Sequence, residues 1–303
     1  MNWLRVQIPA SVVAVVFLLF AGSMAQAATT QAPQRIVSLA PSVTEMLFAL
    51  GFGARVVGVT TYCDYPAEAK KLPKIGSFVN PSLEAVAAQR PDLVIGVNDA
   101  NQSLKAREIA QLGLNISLVS LNNVNEIFSA IKSVARWLGN AESGEQLVRK
   151  IAQQFEAVKK RVESAPRRRT LLVVGLRPLV AAGGGSYIDE LISAAGGDNI
   201  AGNAAQPWLN LPDEYVVARA PQVIIEAGMG SERGQGTRNW YDLKSIPAVK
   251  ERRVYAYPSD KILRPGPRIG EGLEEIARLI HPECFAESKD RPGKGPRCER
   301  SQP

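Results

Sequence analysis

Residues 141–164 read AESGEQLVRKIAQQFEAVKKRVES. The apolar residues Leu147, Ile151, Phe155, Val158 and Val162 step by four, four, three and four. They fall on one stripe of a helix whose other faces are charged. About 22 residues at 1.5 Å each make a rod of roughly 33 Å, long enough to brace two lobes.

On the N-terminal side of this rod, Arg35-Ile36-Val37-Ser38-Leu39-Ala40 has the β-branched, apolar character of a buried strand. Pro41 and Ser42 turn the chain, and Ser42-Val43-Thr44-Glu45 reads as a capping box opening a helix that stops at Gly51. Ser82-Leu83-Glu84 starts another helix, Pro91 ends it, and Leu93-Val94-Ile95 is the next buried strand. On the C-terminal side the order is replayed. Thr170-Leu171-Leu172-Val173-Val174 is a strand, Ile188 to Ala195 a helix stopped by Gly196, and Glu214 opens a helix ended by Pro221 before the strand Val223-Ile224-Ile225. Glu45 to Gly51 matches Glu190 to Gly196, and Glu84 to Pro91 matches Glu214 to Pro221. Two coincident spacings in one order point to a duplicated α/β architecture with mainly parallel sheets.

The ends read differently. Arg5 is the only charge before Arg35, an apolar run spans Val12 to Phe20, and Ala25-Gln26-Ala27 has the small-x-small form of a cleavage site. The division that follows is a signal peptide over 1–28, an N-terminal lobe over 29–140 and a linking helix over 141–165. A C-terminal lobe then covers 166–285, and a polar tail read as disordered covers 286–303. Cys284 and Cys298 flank that tail in a chain bound for an oxidising compartment, which makes them candidates for a disulfide and leaves Cys63 a free thiol.

Chemistry for catalysis is sparse. The only histidine, His281, precedes Pro282 and reads as a surface or helix-terminal residue. Gly183-Gly184-Gly185-Ser186 has neither a following Lys nor Gly-x-Gly-x-x-Gly spacing, so it reads as a flexible turn. The three cysteines lack the close pairs of a metal site. The net charge of +7 is spread out, with Arg167-Arg168-Arg169 its one compact cluster, which does not make a nucleic-acid face. No catalytic residue, cofactor or metal ligand is assigned. Aromatics make up only 6% of the chain, yet Tyr62, Tyr65, Phe78, Trp208, Trp240 and Tyr241 all fall in expected loops. Flat rings there suit a flat or apolar ligand, and the carboxyl ends of strands are where open α/β sheets bind ligands.

Six strings carry a family resemblance across about Arg35 to Ile280: Ser38 to Glu45, Tyr62-Cys63-Asp64-Tyr65-Pro66, Leu83 to Val94, Pro207-Trp208, Ala218 to Gln222, and Ser259-Asp260 with Arg264 and Pro267-Arg268. In that order they resemble the vitamin B12-binding proteins of bacterial ABC importers, and more broadly the siderophore- and haem-binding proteins of the same bilobed plan. The resemblance implies the class III periplasmic binding protein type: two Rossmann-like lobes, one rigid backbone helix, and ligand in the cleft. It implies a monomeric periplasmic protein that captures a corrinoid, cobalamin or cobinamide, and delivers it to a permease dimer. A ferric siderophore or haem is the first alternative, a hydrolytic enzyme the second. Family ligand contacts map onto Ser42, Tyr62, Phe78, Trp208, Asp260 and Arg264, and the permease-docking acids onto Glu84 and Glu214. Two departures mark this chain: Phe78 stands where the compared cobalamin binders carry Trp, and no Trp stands near Asn98.

Overall fold

Buried apolar triplets organise each half into a sheet. A computed structural model describes residues 32–228 and 239–286, apart from the Tyr241 side chain. The expected leader, residues 287–303 of the expected tail, and Cys298 lie outside that range. In the N-terminal half, β1 (Ile36–Ser38), β2 (Val56–Val59), β3 (Leu93–Val97) and β4 (Ile116–Val119) pair in the order β2-β1-β3-β4, every pair parallel. All three residues of β1 are buried, as a central strand covered by helices on both faces requires. The covering helices are α1 (Pro41–Ala49), α2 (Leu83–Ala88), α3 (Ala100–Gln111) and α4 (Val124–Trp137).

The start of α1 corrects the capping-box reading. Its N-cap is Ala40, and Pro41 sits in the first turn, where a fixed φ and a missing N–H suit helix initiation. Ser42 is therefore already inside the helix, and Glu45 is drawn to partners elsewhere. Capping side chains do act at Ser82, Asp99, Asn123 and Asn140, each accepting from the backbone N–H three residues on. Beyond α1, Gly51 takes φ 85°, the left-handed step that ends many helices.

The charged stripe forms α5 (Ala141–Val162). Ile151, Phe155, Val158 and Val162 are buried, together with Val148 and Gly144, while Leu147 is half-buried. At Gly144 a Cβ would lie 2.7 Å from Ala135 of α4, so glycine permits the close approach of the two helices. Phe155 meets Phe128 of α4 edge-to-face at 6.2 Å. One apolar core runs continuously from β1 through α4 and α5 into the second half.

That half contains β5 (Arg168–Leu176), β6 (Leu179–Ala182), β7 (Gly197–Asn199), β8 (Trp208–Asn210), β9 (Val223–Glu226) and β10 (Val254–Ala256). Its helices are α6 (Tyr187–Ala194), α7 (Asp213–Arg219), the short α8 (Pro247–Lys250) and α9 (Asp260–Leu263), and α10 (Ile269–Ile280). The parallel set β7-β5-β9-β10 repeats β2-β1-β3-β4, and antiparallel β6 and β8 are added beside it. The repeat reaches the backbone: Arg90 (φ 47°) and Ala220 (φ 46°) are both left-handed, each directly before the proline that precedes β3 or β9. In the turn 183–186, Gly183 and Gly184 are packed against neighbouring backbone, while Gly185 is exposed. A Cβ on Gly183 or Gly184 would collide with the carbonyl oxygen of Gln206 or Gly202 respectively, and Ser186 caps α6.

Candidate functional site

The carboxyl ends of the N-terminal strands meet α9 around a cavity of about 620 Å³. Pro41 and Ser42 follow β1, while Thr61, Tyr62 and Asp64 follow β2. Val97 ends β3 and Leu121 follows β4. The second half contributes Gly228 after β9, and Asp260, Leu263, Arg264 and Pro265 from α9 and the residues beyond it. Phe78 and Val79 close the wall from the β2–α2 loop. The lining is mostly rings and aliphatic groups with a few polar side chains, the composition of a site that grips an apolar body and orients its edges.

The polar end is an ion-pair network joining the two halves. Glu45, its side chain only 1% exposed, accepts two bonds from Arg268, Nε to Oε2 at 2.8 Å and Nη2 to Oε1 at 2.6 Å. Such fork-to-fork pairing is among the stronger hydrogen-bonded contacts. Arg264 donates through Nη1 to Asp64 Oδ1 at 2.6 Å and to Glu45 Oε1 at 3.2 Å, and its Nε lies 3.2 Å from Asp260 Oδ1. Burial alone lowers the pKa of Arg264, but Asp64 and then Glu45 outweigh it, and the net direction is up. The Arg268 guanidinium stacks 3.9 Å from the Tyr65 ring centroid, leaving that ring half-exposed.

Of the sequence-derived contacts, Ser42, Tyr62, Phe78, Asp260 and Arg264 line this cavity. Trp208 does not. It lies in β8 instead of a loop, pairs with β6, and sits edge-to-face on buried Tyr187 at 6.5 Å. Trp240 is a core residue, not a ligand wall: it is 2% exposed, and its indole N–H donates to buried Glu226 at 2.7 Å. Glu84 and Glu214 are exposed in the first turns of α2 and α7. Asp64, Glu45 and Arg268 are polar partners that the sequence does not announce, although each lies within one of the six strings. Their pairing spans 200 or more positions and leaves no local trace.

Two other places gather charged or metal-type groups. A groove of about 720 Å³ at the C-terminal end of α5 is lined by Lys159, Lys160, Glu163, Arg167 and Glu190, a solvated charged surface without rings. His281, Glu283 and Cys284 cluster within 4.8 Å, but Cys284 is disulfide-bonded and offers no thiolate to a metal. Cys63 is a buried free thiol.

Known proteins of this shape place the cleft in context. The chain is 31% identical over 249 residues to a vitamin B12-binding protein of Salmonella paratyphi A, covering 82% of this chain and 91% of that one. The periplasmic vitamin B12-binding protein of Vibrio cholerae superposes with a TM-score of 0.73 at 26% identity, covering 82% and 97% of the two chains. A periplasmic haem-binding protein of Roseiflexus superposes with the same TM-score at 29% identity, covering 83% and 99%. The model of the family described as periplasmic binding protein matches residues 36–261. With that match spanning most of a duplicated α/β fold, the chain belongs to the periplasmic binding protein family.

Proposed function

We propose that the protein captures one corrinoid, cobalamin or cobinamide, in the cleft and passes it unchanged to an ABC importer in the periplasm. The observation that carries this reading is the convergence of Tyr62 and Phe78 with Asp260 and Arg264 on one cavity. Rings of this kind pack on the faces of a flat macrocycle, and the charged pair meets the polar groups at its edge. The likeness to proteins named for binding vitamin B12 supports the choice of ligand. Asp260 and Arg264 are held as a pair, and the relatives are named for binding and not for a reaction, which supports capture without chemistry. A haem or ferric-chelate ligand is the second reading, favoured by the equally close superposition on a haem-binding protein.

These ligands are coloured, so gel filtration with each in turn separates the readings. Dicyanocobinamide or aquocobalamin is expected to co-elute at about one equivalent and to be recovered unaltered. Saturable binding of haem with no corrinoid bound would establish the second reading. Conversion of corrinoid in excess over protein would establish an enzyme.

A further inference from the structure

Residues 77–80 of the β2–α2 loop carry Phe78 and Val79, which form one wall of the cavity. Inside this stretch the Asn80 N–H donates to Ser77 Oγ at 3.0 Å. Among the described residues, a single hydrogen bond joins it to the rest of the fold: Gln102 Nε2 donates to the Phe78 carbonyl oxygen at 3.4 Å.

Gln102 is fully buried on α3, whose N-cap Asp99 accepts the Gln102 backbone N–H at 2.8 Å. Its side-chain amide is used at both ends. Oε1 accepts from the Val97 N–H at the end of β3, at 2.7 Å. Nε2 donates to the Leu39 carbonyl oxygen just beyond β1, at 2.8 Å, as well as to Phe78. The Val97 N–H dictates which way the amide faces, because a flipped amide would set donor against donor on one side and acceptor against acceptor on the other. Gly96 leaves the room: a Cβ there would lie 2.6 Å from Oε1.

A buried amide engaged in this way is costly to displace, since moving it leaves buried backbone groups without partners. Gln102 does not line the cavity, yet it joins the carboxyl ends of β1 and β3 to the backbone of Phe78, whose half-buried ring does. We infer that Gln102 is a positioning residue for the ligand wall, fixing the Phe78 loop against the two strand ends. The inference rests on the reading of this cavity as the ligand site and deepens it.

Spectrophotometric titration with dicyanocobinamide tests it through a double-mutant cycle with Phe78. Gln102→Met keeps the bulk and removes both ends of the amide. It is expected to raise Kd at least fivefold in protein that its melting temperature shows to be folded. With Phe78→Ala already in place, the same change should raise Kd less than twofold, because no ring is left to position. A loss as large in the Phe78→Ala background would make Gln102 a general structural residue and overturn the inference. An unchanged Kd in folded Gln102→Met would do the same. Should Gln102→Met fail to fold, Gly96→Ala, whose Cβ would push Oε1 away, takes its place in the cycle under the same criteria. If dicyanocobinamide does not bind the wild type, the corrinoid reading fails by itself, and haem runs the same cycle. Binding of neither would overturn the cavity reading and the role of Gln102 together.

Discussion

His281 is fully buried at the end of α10, with Nε2 3.2 Å from the Gly196 carbonyl oxygen and Nδ1 3.3 Å from a Glu283 carboxylate oxygen. It is helix-terminal, as its place before Pro282 suggests, but it lies inside the protein and not on its surface. Burial, the largest influence, pushes its pKa below the usual histidine value, and the bonds to Gly196 and Glu283 recover only part of the shift. The sign follows. The folded state gives up the ring proton more readily than the unfolded chain, which takes up a proton below about pH 6.5. The contribution of His281 to stability is therefore complete above that pH and declines as pH falls from about 6.5 toward the lower folded value. Urea unfolding of the wild type between pH 7.5 and 5.5 is expected to show this decline, and His281→Gln to flatten it. An identical slope in the variant would assign the decline to other groups.

Two short helices stand at equivalent points of the duplication. Helix α2 precedes β3 and α7 precedes β9, and each carries an exposed acid in its first turn, Glu84 or Glu214. Acid in a first turn favours the positive helix end by about 0.3–1 kcal/mol. In α2 the cap itself is supplied by Ser82, whose Oγ accepts from Ala85 N at 3.2 Å, so Glu84 is not needed for capping. We propose that this matched placement serves docking on a two-fold permease, where exposed charges would speed encounter and fix orientation. Glu84→Arg together with Glu214→Arg is expected to leave ligand affinity within about threefold, roughly 0.65 kcal/mol. The same pair should abolish stimulation of the importer's ATPase in reconstituted membranes. Normal stimulation by the double variant would return both residues to helix ends.

Across the whole molecule, the duplication places two further glutamates in equivalent positions, six residues before Gly51 and Gly196. Each reaches into the opposite half. Glu45 of α1 holds Arg268, the N-cap residue of α10, and Glu190 of α6 accepts from the backbone N–H of Val124, the first residue of α4, at 2.7 Å. The two contacts tie the halves together in addition to the α5 core, but they differ in depth: Glu45 is buried and Glu190 exposed. Removing one partner of a buried ion pair strands the other, a loss of about 3–5 kcal/mol. An exposed hydrogen bond to a helix end is worth about 1 kcal/mol. Chemical denaturation of Glu45→Ala and Glu190→Ala should reproduce that inequality. Equal losses would show that Glu45 is not the principal tie.

Much of this architecture follows from short-range pattern alone. The stripe from Ile151 to Val162, the buried strands at Ile36 and Leu171, the stop at Gly51 and the paired spacings to Pro91 and Pro221 all act within a few residues, where periodicity and backbone breakers are decisive. The strings around Ser42, Tyr62 and Arg264 likewise marked residues that line the cavity. What only the tertiary structure decided is where ambiguous side chains end. Trp240 reads as well for a ligand wall as for a core, and it became core because the fold supplied buried Glu226 for its N–H. Glu45 reads as a capping acid until folding brings Arg264 and Arg268 to it from 219 and 223 positions away. A polar side chain goes where its charge or hydrogen bond is best matched, and that partner is set by chain topology, which no local window of sequence contains.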